Sequence, residues 1–352
     1  MLPSGTFPER YEQDKAVIRT RLQWGLFIGF LVFLFLLPVF TSDATLGILA
    51  IMGVFMVAVL GLQILVGYCG QMNLGQSAFM GVGGLMGCLA AMRFNLPVEA
   101  ALIIGGLAGS VYGLIFAIPA IRVKGYYLAL TTLAAQLIFN FVFTRLPKEF
   151  FLGTYGGFPV SSPRLLIGIQ LTSPASMYYL ILVVVVIAVF VATNITRSKL
   201  GRAFMAIRDN DVAAQVMGVN IVFYKFLAFS ICAFFAGVAG VLWGYTMRYV
   251  GVEQFTLIHS VFMLGMLIVG GLGSILGAIL GTVFLRTLQE IINTVGPSLA
   301  MAIPQLGAGI IFALMNFLVG VIIILFLIFE PRGLSHRWRI FQRFYRLWPF
   351  PY

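Results

Sequence analysis

The chain has 352 residues and eleven carboxylates. Glu9, Glu12, Asp14, Asp43, Glu99, Glu149, Asp209, Asp211, Glu253 and Glu330 fall in connecting segments or at the ends of apolar runs, and only Glu290 lies inside one. A carrier that exchanges solute against protons or sodium keeps a titratable group near mid-membrane, because relaying a proton through hydrocarbon requires one. Here the sole candidates are Glu290 and Arg286, four residues apart on one helical face. We read them as a buried structural ion pair, with a transport role as the alternative. His259 and His336 lie far apart without Cys, Asp or Glu at ligand spacing, so no metal site is expected. Cys69, Cys88 and Cys232 stand widely separated in apolar sequence and read as small buried hydrophobes. The phosphate-cradling pattern Gly-x-x-x-x-Gly-Lys-Ser/Thr is missing, and "GGLGS" lacks its lysine. No catalytic or metal-binding set and no cofactor of its own are therefore expected, so any uphill transport must draw its energy from a partner.

The remaining polar chemistry is of two kinds. "VGYCGQMNLGQSAFMGVGG", residues 66–84, brings the amides of Gln71, Asn73 and Gln76 together with Gly67, Gly70 and Gly75. Irregular backbone at membrane depth survives only where protein or a wet cavity satisfies its N–H and C=O groups. The stretch either breaks a helix and lines or gates a pathway, or forms a cytoplasmic turn whose amides cap the next helix. Amides would pass a neutral or zwitterionic solute without trapping it. The second kind is charge: residues 196–222 read as a short amphipathic helix with Leu200, Phe204, Met205 and Ile207 apolar and Arg202, Arg208, Asp209 and Asp211 charged. A second short helix from about Val212 to Met217 should stop at Gly218. This segment reads equally as a docking surface for an ATPase or as a connector lying on the membrane.

What must position these residues is a membrane bundle. The chain is 61% hydrophobic and 9% charged, and it offers about ten runs near the roughly 20 residues that a helix needs to cross hydrocarbon. The fold expected is all-α, a polytopic transmembrane helical bundle with broken or re-entrant helices. Spans are read at 24–41, 45–67, 74–93, 97–119, 126–144, 176–195, 223–246, 256–271, 274–295 and 308–329. Runs apolar on every face exclude a closed β-barrel. A largely polar segment of 23 residues including Glu9, Glu12 and Asp14 precedes the first span, and no cleavage site follows it, so a signal peptide is not expected. Most Lys and Arg then fall on one side, in 1–23, at Arg122 and Lys124, in 196–222 and in 331–352, which makes both termini cytoplasmic. That parity splits the long run 256–295 at "VGGLGS"; its first half is short enough to be re-entrant. Glycines four apart, such as Gly83/Gly87, Gly105/Gly109, Gly240/Gly244 and Gly273/Gly277/Gly281, suit close helix packing. The net charge of +11 reads as topology and attraction to anionic lipid, not nucleic-acid binding. The tail 331–352 alternates Arg with aromatics and reads as an interfacial anchor. The membrane-spanning body is thus 24–330, with an outer loop at 145–175 read as a partner contact or a floppy lid.

Four ordered blocks between about residues 45 and 335 carry a resemblance. "LGRAFMAIRDNDVAAQVMGVNIVFYKFLAFSICAFFAGVAGVLWG" (200–244) resembles the coupling region of branched-chain amino acid ABC-importer permeases, with Gly201, Arg202, Ala206, Ile207, Arg208, Asp209, Ala213, Ala214, Gly218, Tyr224 and Lys225 at matching places. "GYCGQMNLGQSAFMGVGG" looks like that family's Gly-x-x-Gly-Gln-x-x-Leu-Gly-x-x-x-Phe signature, although Asn73 and Gln76 stand where Ser and His are frequent. "IPAIRVKGYYLALTTLAAQLI" and the pair "GGLGSILGAILG" and "FEPRGL" are similar to further blocks. The resemblance implies a bacterial inner-membrane permease half, paired with a second homologous permease, two cytoplasmic ABC ATPases that hydrolyse ATP, and an extracytoplasmic solute-binding protein. It implies ATPase coupling through Gly201, Arg202, Ala206, Arg208, Asp209, Asp211 and Gly218, and a pathway past Gln71, Asn73, Gly75, Gln76, Tyr127 and Thr131. Urea and short-amide permeases are close relatives, and a channel or secondary carrier remains a further alternative.

Overall fold

The computed structural model describes residues 21–123, 125–152, 154, 156–302, 308–330 and 332–347. The cytoplasmic segment expected before residue 21, together with Lys124 and Tyr155, lies outside them. The described chain is a polytopic helical bundle. Its helices are α1 (Arg21–Phe40), α2 (Asp43–Leu62), α3 (Gln76–Phe94), α4 (Val98–Arg122), α5 (Tyr126–Thr144), α6 (Pro174–Arg197), α7 (Lys199–Asp209), α8 (Asp211–Val216), α9 (Ile221–Met247), α10 (Leu257–Gly270), α11 (Ile275–Ala302), α12 (Ala308–Phe329) and α13 (Leu334–Leu347). Among the described residues, eight of the ten expected spans are long and apolar enough to cross a membrane, and the described parts of α1 and α12 give apolar stretches at Ile28–Phe40 and Gly320–Phe329.

Local chemistry explains the breaks and bends. Pro38 inside α1 has no N–H to give the Leu34 carbonyl, and the Tyr178 hydroxyl of α6 donates to that carbonyl at 3.1 Å. The apolar run 256–295 folds back on itself, as parity required, at Gly271 (φ 112°) and Gly273 (φ 75°), a left-handed backbone that favours glycine. α10 is only 14 residues long, about 21 Å, and the preceding turn from Val252 extends the apolar helical stretch to 19 residues.

The centre of the bundle is α9, packed against α2, α3 and α4 with buried Ala228, Cys232, Ala233, Ala236 and Ala239. Glycine permits this contact because helices in lipid gain little from the hydrophobic effect and rely on close approach. A Cβ at Gly240 would lie 1.9 Å from the Met80 carbonyl oxygen, and one at Gly83 would lie 2.1 Å from Gly237 Cα.

Connecting segments among the described residues gather at two ends. At one end Arg93 donates to the Glu149 carbonyl at 2.8 Å and Val98 N–H to the Arg164 carbonyl at 2.7 Å. There β1 (Gly157–Pro159) pairs antiparallel with β2 (Tyr249–Gly251), Phe158 opposite Val250. Phe151 and Phe158 are fully buried, so this part of the 145–175 loop packs on the bundle, while Leu166 and Ile167 stand exposed. At the other end the 69–75 break, the Gly271–Ser274 turn, the α7–α8 elbow and the chain before α13 meet. The tail is helical as α13, with Trp338 and Phe341 exposed and stacked 6.0 Å apart.

Candidate pathway and coupling site

The quoted stretch does break a helix. α2 widens into a π-helical turn at Gln63–Tyr68, the chain then runs irregularly, with Gly70 at φ 70°, and α3 starts at Gln76. Starting a helix inside a bundle leaves its first N–H groups without intrahelical partners. In the first turn Ser77 N–H donates to Ser260 Oγ at 2.8 Å, and just before the helix Gly75 N–H donates to Asn73 Oδ1 and Leu74 N–H to Thr132 Oγ1, both at 2.9 Å. Asn73 Nδ2 donates to Gln76 Oε1 at 2.9 Å, and Gln76 Nε2 donates to the Ala58 carbonyl at 2.8 Å. Asn73, Gln76, Thr132, Gln136 and Ser260 are all at 0% exposure. Asn73 thus closes a turn on Gly75 just before α3 begins, and Gln76 ties α3 to α2 and α9.

The other expected pathway residues are placed differently. Gln71 and Gly75 are buried, with Gln71 at a cavity wall. Tyr127 is 67% exposed. Thr131 is half-buried and donates from its hydroxyl to the Leu128 carbonyl. Sequence reasoning missed Thr132, Gln136 and Ser260, whose polar types in apolar helices were the available signal.

The elbow forms as two short helices. Ser198 caps α7 by accepting from Leu200 N–H at 3.1 Å, Asn210 caps α8 by accepting from Ala213 N–H at 3.1 Å, and Gly218 ends the segment at φ 86°. Phe204 and Ile207 anchor it to the bundle. Gly201 is needed for contact, since a Cβ there would meet the Thr196 carbonyl oxygen at 2.0 Å. Ala206 is half-buried, while Arg202, Asp209, Val216 and Met217 face outward, the last two at 82% and 84% exposure. The elbow thus exposes apolar side chains as well as charged ones, a feature hidden by reading charge first.

Arg208 turns back into the bundle. Its Nη1 donates to the Gly67 carbonyl at 3.0 Å, and its Nε and Nη2 donate to Asp209 Oδ1 at 3.1 and 3.0 Å. Gln63 Nε2 meanwhile donates to the carbonyls of Gly271 and Ser274 at 3.2 and 2.9 Å. Both helix breaks and the elbow are therefore one hydrogen-bonded unit. Beside it opens a cavity of about 580 Å³ whose lining includes Gln71, Met72, Leu128, Asp209, Asp211 and Lys225. Burial pushes the Cys69 thiol up to about 12, with the Lys225 ammonium acting in the opposite direction.

One expectation is corrected. Arg286 does not form an ion pair with Glu290 among the described residues; it donates to Gln289 Oε1 at 2.5 Å and lies over the Phe55 ring, 4.7 Å from its centre. An arginine can satisfy itself on an amide and an aromatic face with less desolvation than a buried carboxylate would demand.

Residues 44–329 match the family model described as branched-chain amino acid transport system / permease component. The chain belongs to this permease family. It is 27% identical over 301 residues to the high-affinity branched-chain amino acid transport system permease protein LivM of Escherichia coli K12, covering 80% of this chain and 70% of that one. LivM of Salmonella typhimurium LT2 is 28% identical over 277 residues, 73% of this chain and 65% of its own length. The autoinducer 2 import system permease protein LsrC of Enterobacter sp. 638 is 28% identical over 207 residues, 56% and 57% of the two chains. No solved structure matches the chain.

Proposed function

We propose that the chain is the membrane-spanning permease subunit of an ATP-driven importer for branched-chain or related amino acids. It sits in a bacterial inner membrane with both termini cytoplasmic, beside a second permease, above two ABC ATPases and below a solute-binding protein. The observation that carries this reading is the Arg208–Gly67 hydrogen bond, which fixes an exposed elbow to a helix break inside the bundle. Gly201, Arg202, Ala206, Arg208, Asp209, Asp211 and Gly218 form the coupling elbow, with Val216 and Met217 as its apolar tip on the ATPase. Movement of the elbow pulls on Gly67, and ATP-driven closure then shifts the population between outward and inward states. Gln71, Tyr127 and Thr131 line the pathway, and Asn73, Gly75 and Gln76 hold the broken helix that gates it. The cap made by residues 145–175 receives the solute-binding protein.

The test is reconstitution. Purified chain alone is expected to move no amino acid, and the complete set of subunits is expected to take it up only with ATP. Concentrative uptake by the chain alone would contradict the proposal and favour an ion-coupled carrier.

A further inference from the structure

The cavity beside the elbow holds a buried cation that the coupling mechanism does not use. Lys225, on the first turns of α9, is 3% exposed, and among the described residues neither a hydrogen bond nor an ion pair reaches its ammonium. Its stem is packed while its ammonium opens onto the cavity, where an anion that enters would complete its shell. It lines the cavity together with Cys69, whose thiol feels its charge. The other walls differ in kind: Met72, Leu128 and Ile207 are apolar, whereas Asp209 stands at the rim, 68% exposed, and bonds to Arg208 through Oδ1 alone. A buried cation, an apolar wall and a rim carboxylate complement a molecule with a carboxylate, an aliphatic side chain and an ammonium.

We infer that this cavity is a second amino-acid site, at the cytoplasmic end of the chain, which binds an α-amino acid zwitterion with its carboxylate on Lys225, its ammonium at Asp209 and its side chain against Met72, Leu128 and Ile207. The inference rests on the proposed importer for its sidedness and substrate class. Because Arg208 shares the cavity wall and holds Gly67, an occupant braces the elbow against the helix break. Accumulated amino acid on the cytoplasmic face therefore slows uptake.

The experiment uses the assembled complex of both permeases and the ATPases without the binding protein, and measures equilibrium binding of L-leucine, 3-methylbutylamine, 4-methylpentanoate and inorganic phosphate. Leucine is expected to bind, 4-methylpentanoate to bind more weakly, and the amine, which lacks a carboxylate, not to bind. Lys225→Met should weaken leucine binding by at least about tenfold, the usual scale for losing a charged hydrogen bond, and Lys225→Arg should retain most of it. Met72→Trp, at a half-exposed wall position that does not disturb the buried lysine, should block binding independently should Lys225→Met fail to assemble. Unchanged leucine affinity in Lys225→Met, amine binding as tight as leucine, or phosphate binding as tight as leucine would each overturn the site. So would a wild-type complex that binds no leucine but sheds its ATPases on Lys225→Met, since the cavity would then receive an acidic side chain of that partner. ATP-driven uptake by the wild-type complex with its binding protein is measured in parallel. Uptake without leucine binding sinks only the second site, whereas absence of uptake sinks the importer reading.

Discussion

Arg208 Nη1 reaches the Gly67 carbonyl at 3.0 Å, across 141 residues of chain, and joins the outermost part of the fold to the point where a central helix comes apart. A carbonyl at the end of a π-helical turn has a weakened intrahelical claim on it, so it accepts a guanidinium donor readily. The elbow cannot shift without moving the break or losing this bond.

Gly70→Val should disturb that contact from the other side. A Cβ at Gly70 would stand 2.8 Å from Arg208 Cγ, and the backbone there has φ 70°, which a β-branched residue strongly disfavours. Helix content by circular dichroism should be unchanged while ATP-dependent uptake falls by about tenfold or more; wild-type uptake would mean that the elbow tolerates a displaced break.

Asn73→Ala removes the acceptor for Gly75 N–H, leaving that buried group unpaired, and leaves Gln76 Oε1 with only the weak Cys232 thiol donor. The cost should be about 1–3 kcal/mol, seen as a lowered thermal unfolding midpoint in detergent. Gln76→Leu should cost a similar amount because it also strips the Ala58 and Cys232 partners. Since the two sites bond to each other, the double variant should cost less than the sum.

Gly240→Leu is expected to be among the most damaging packing changes. The nearest atom to a Cβ at Gly240 is the Met80 carbonyl oxygen, 1.9 Å away and part of a helix backbone that cannot swing aside. The α3–α9 contact would have to open, and expression of monodisperse protein should collapse. Gly47→Leu, where a Cβ meets nothing within 4 Å, should express normally.

Cys69 should be a poor thiol at neutral pH. Burial pushes it up to about 12, well above the ordinary thiol value of about 8.5, so at pH 8 only about one thiol in ten thousand is ionised. Maleimide labelling should rise about tenfold per pH unit between pH 8 and 10 and should quicken at fixed pH on denaturation. Fast labelling of folded protein at pH 7 would show the thiol to be exposed.

Much of this fold is legible in the residues themselves. Glycines and amides mark the break before α3, "VGGLGS" marks the α10–α11 hairpin, and a charged amphipathic run marks the elbow, each because local backbone chemistry decides it. What escaped the sequence is long-range. Nothing in the spacing of Arg286 and Glu290 reveals that Arg286 prefers Gln289 and the Phe55 face, and nothing near Arg208 points to Gly67. Likewise Thr132 and Ser260 serve the start of α3 from α5 and α10, partners set by tertiary packing. Lys225 reads as an ordinary span-end cation until the packed bundle encloses it.

The decisive measurement is amino acid transported per ATP hydrolysed by the fully reconstituted complex carrying Arg208→Ala. Hydrolysis should persist while transport per ATP drops by about tenfold or more, the scale of losing one charge-assisted hydrogen bond. A wild-type ratio in this variant would contradict the coupling of the elbow to the helix break.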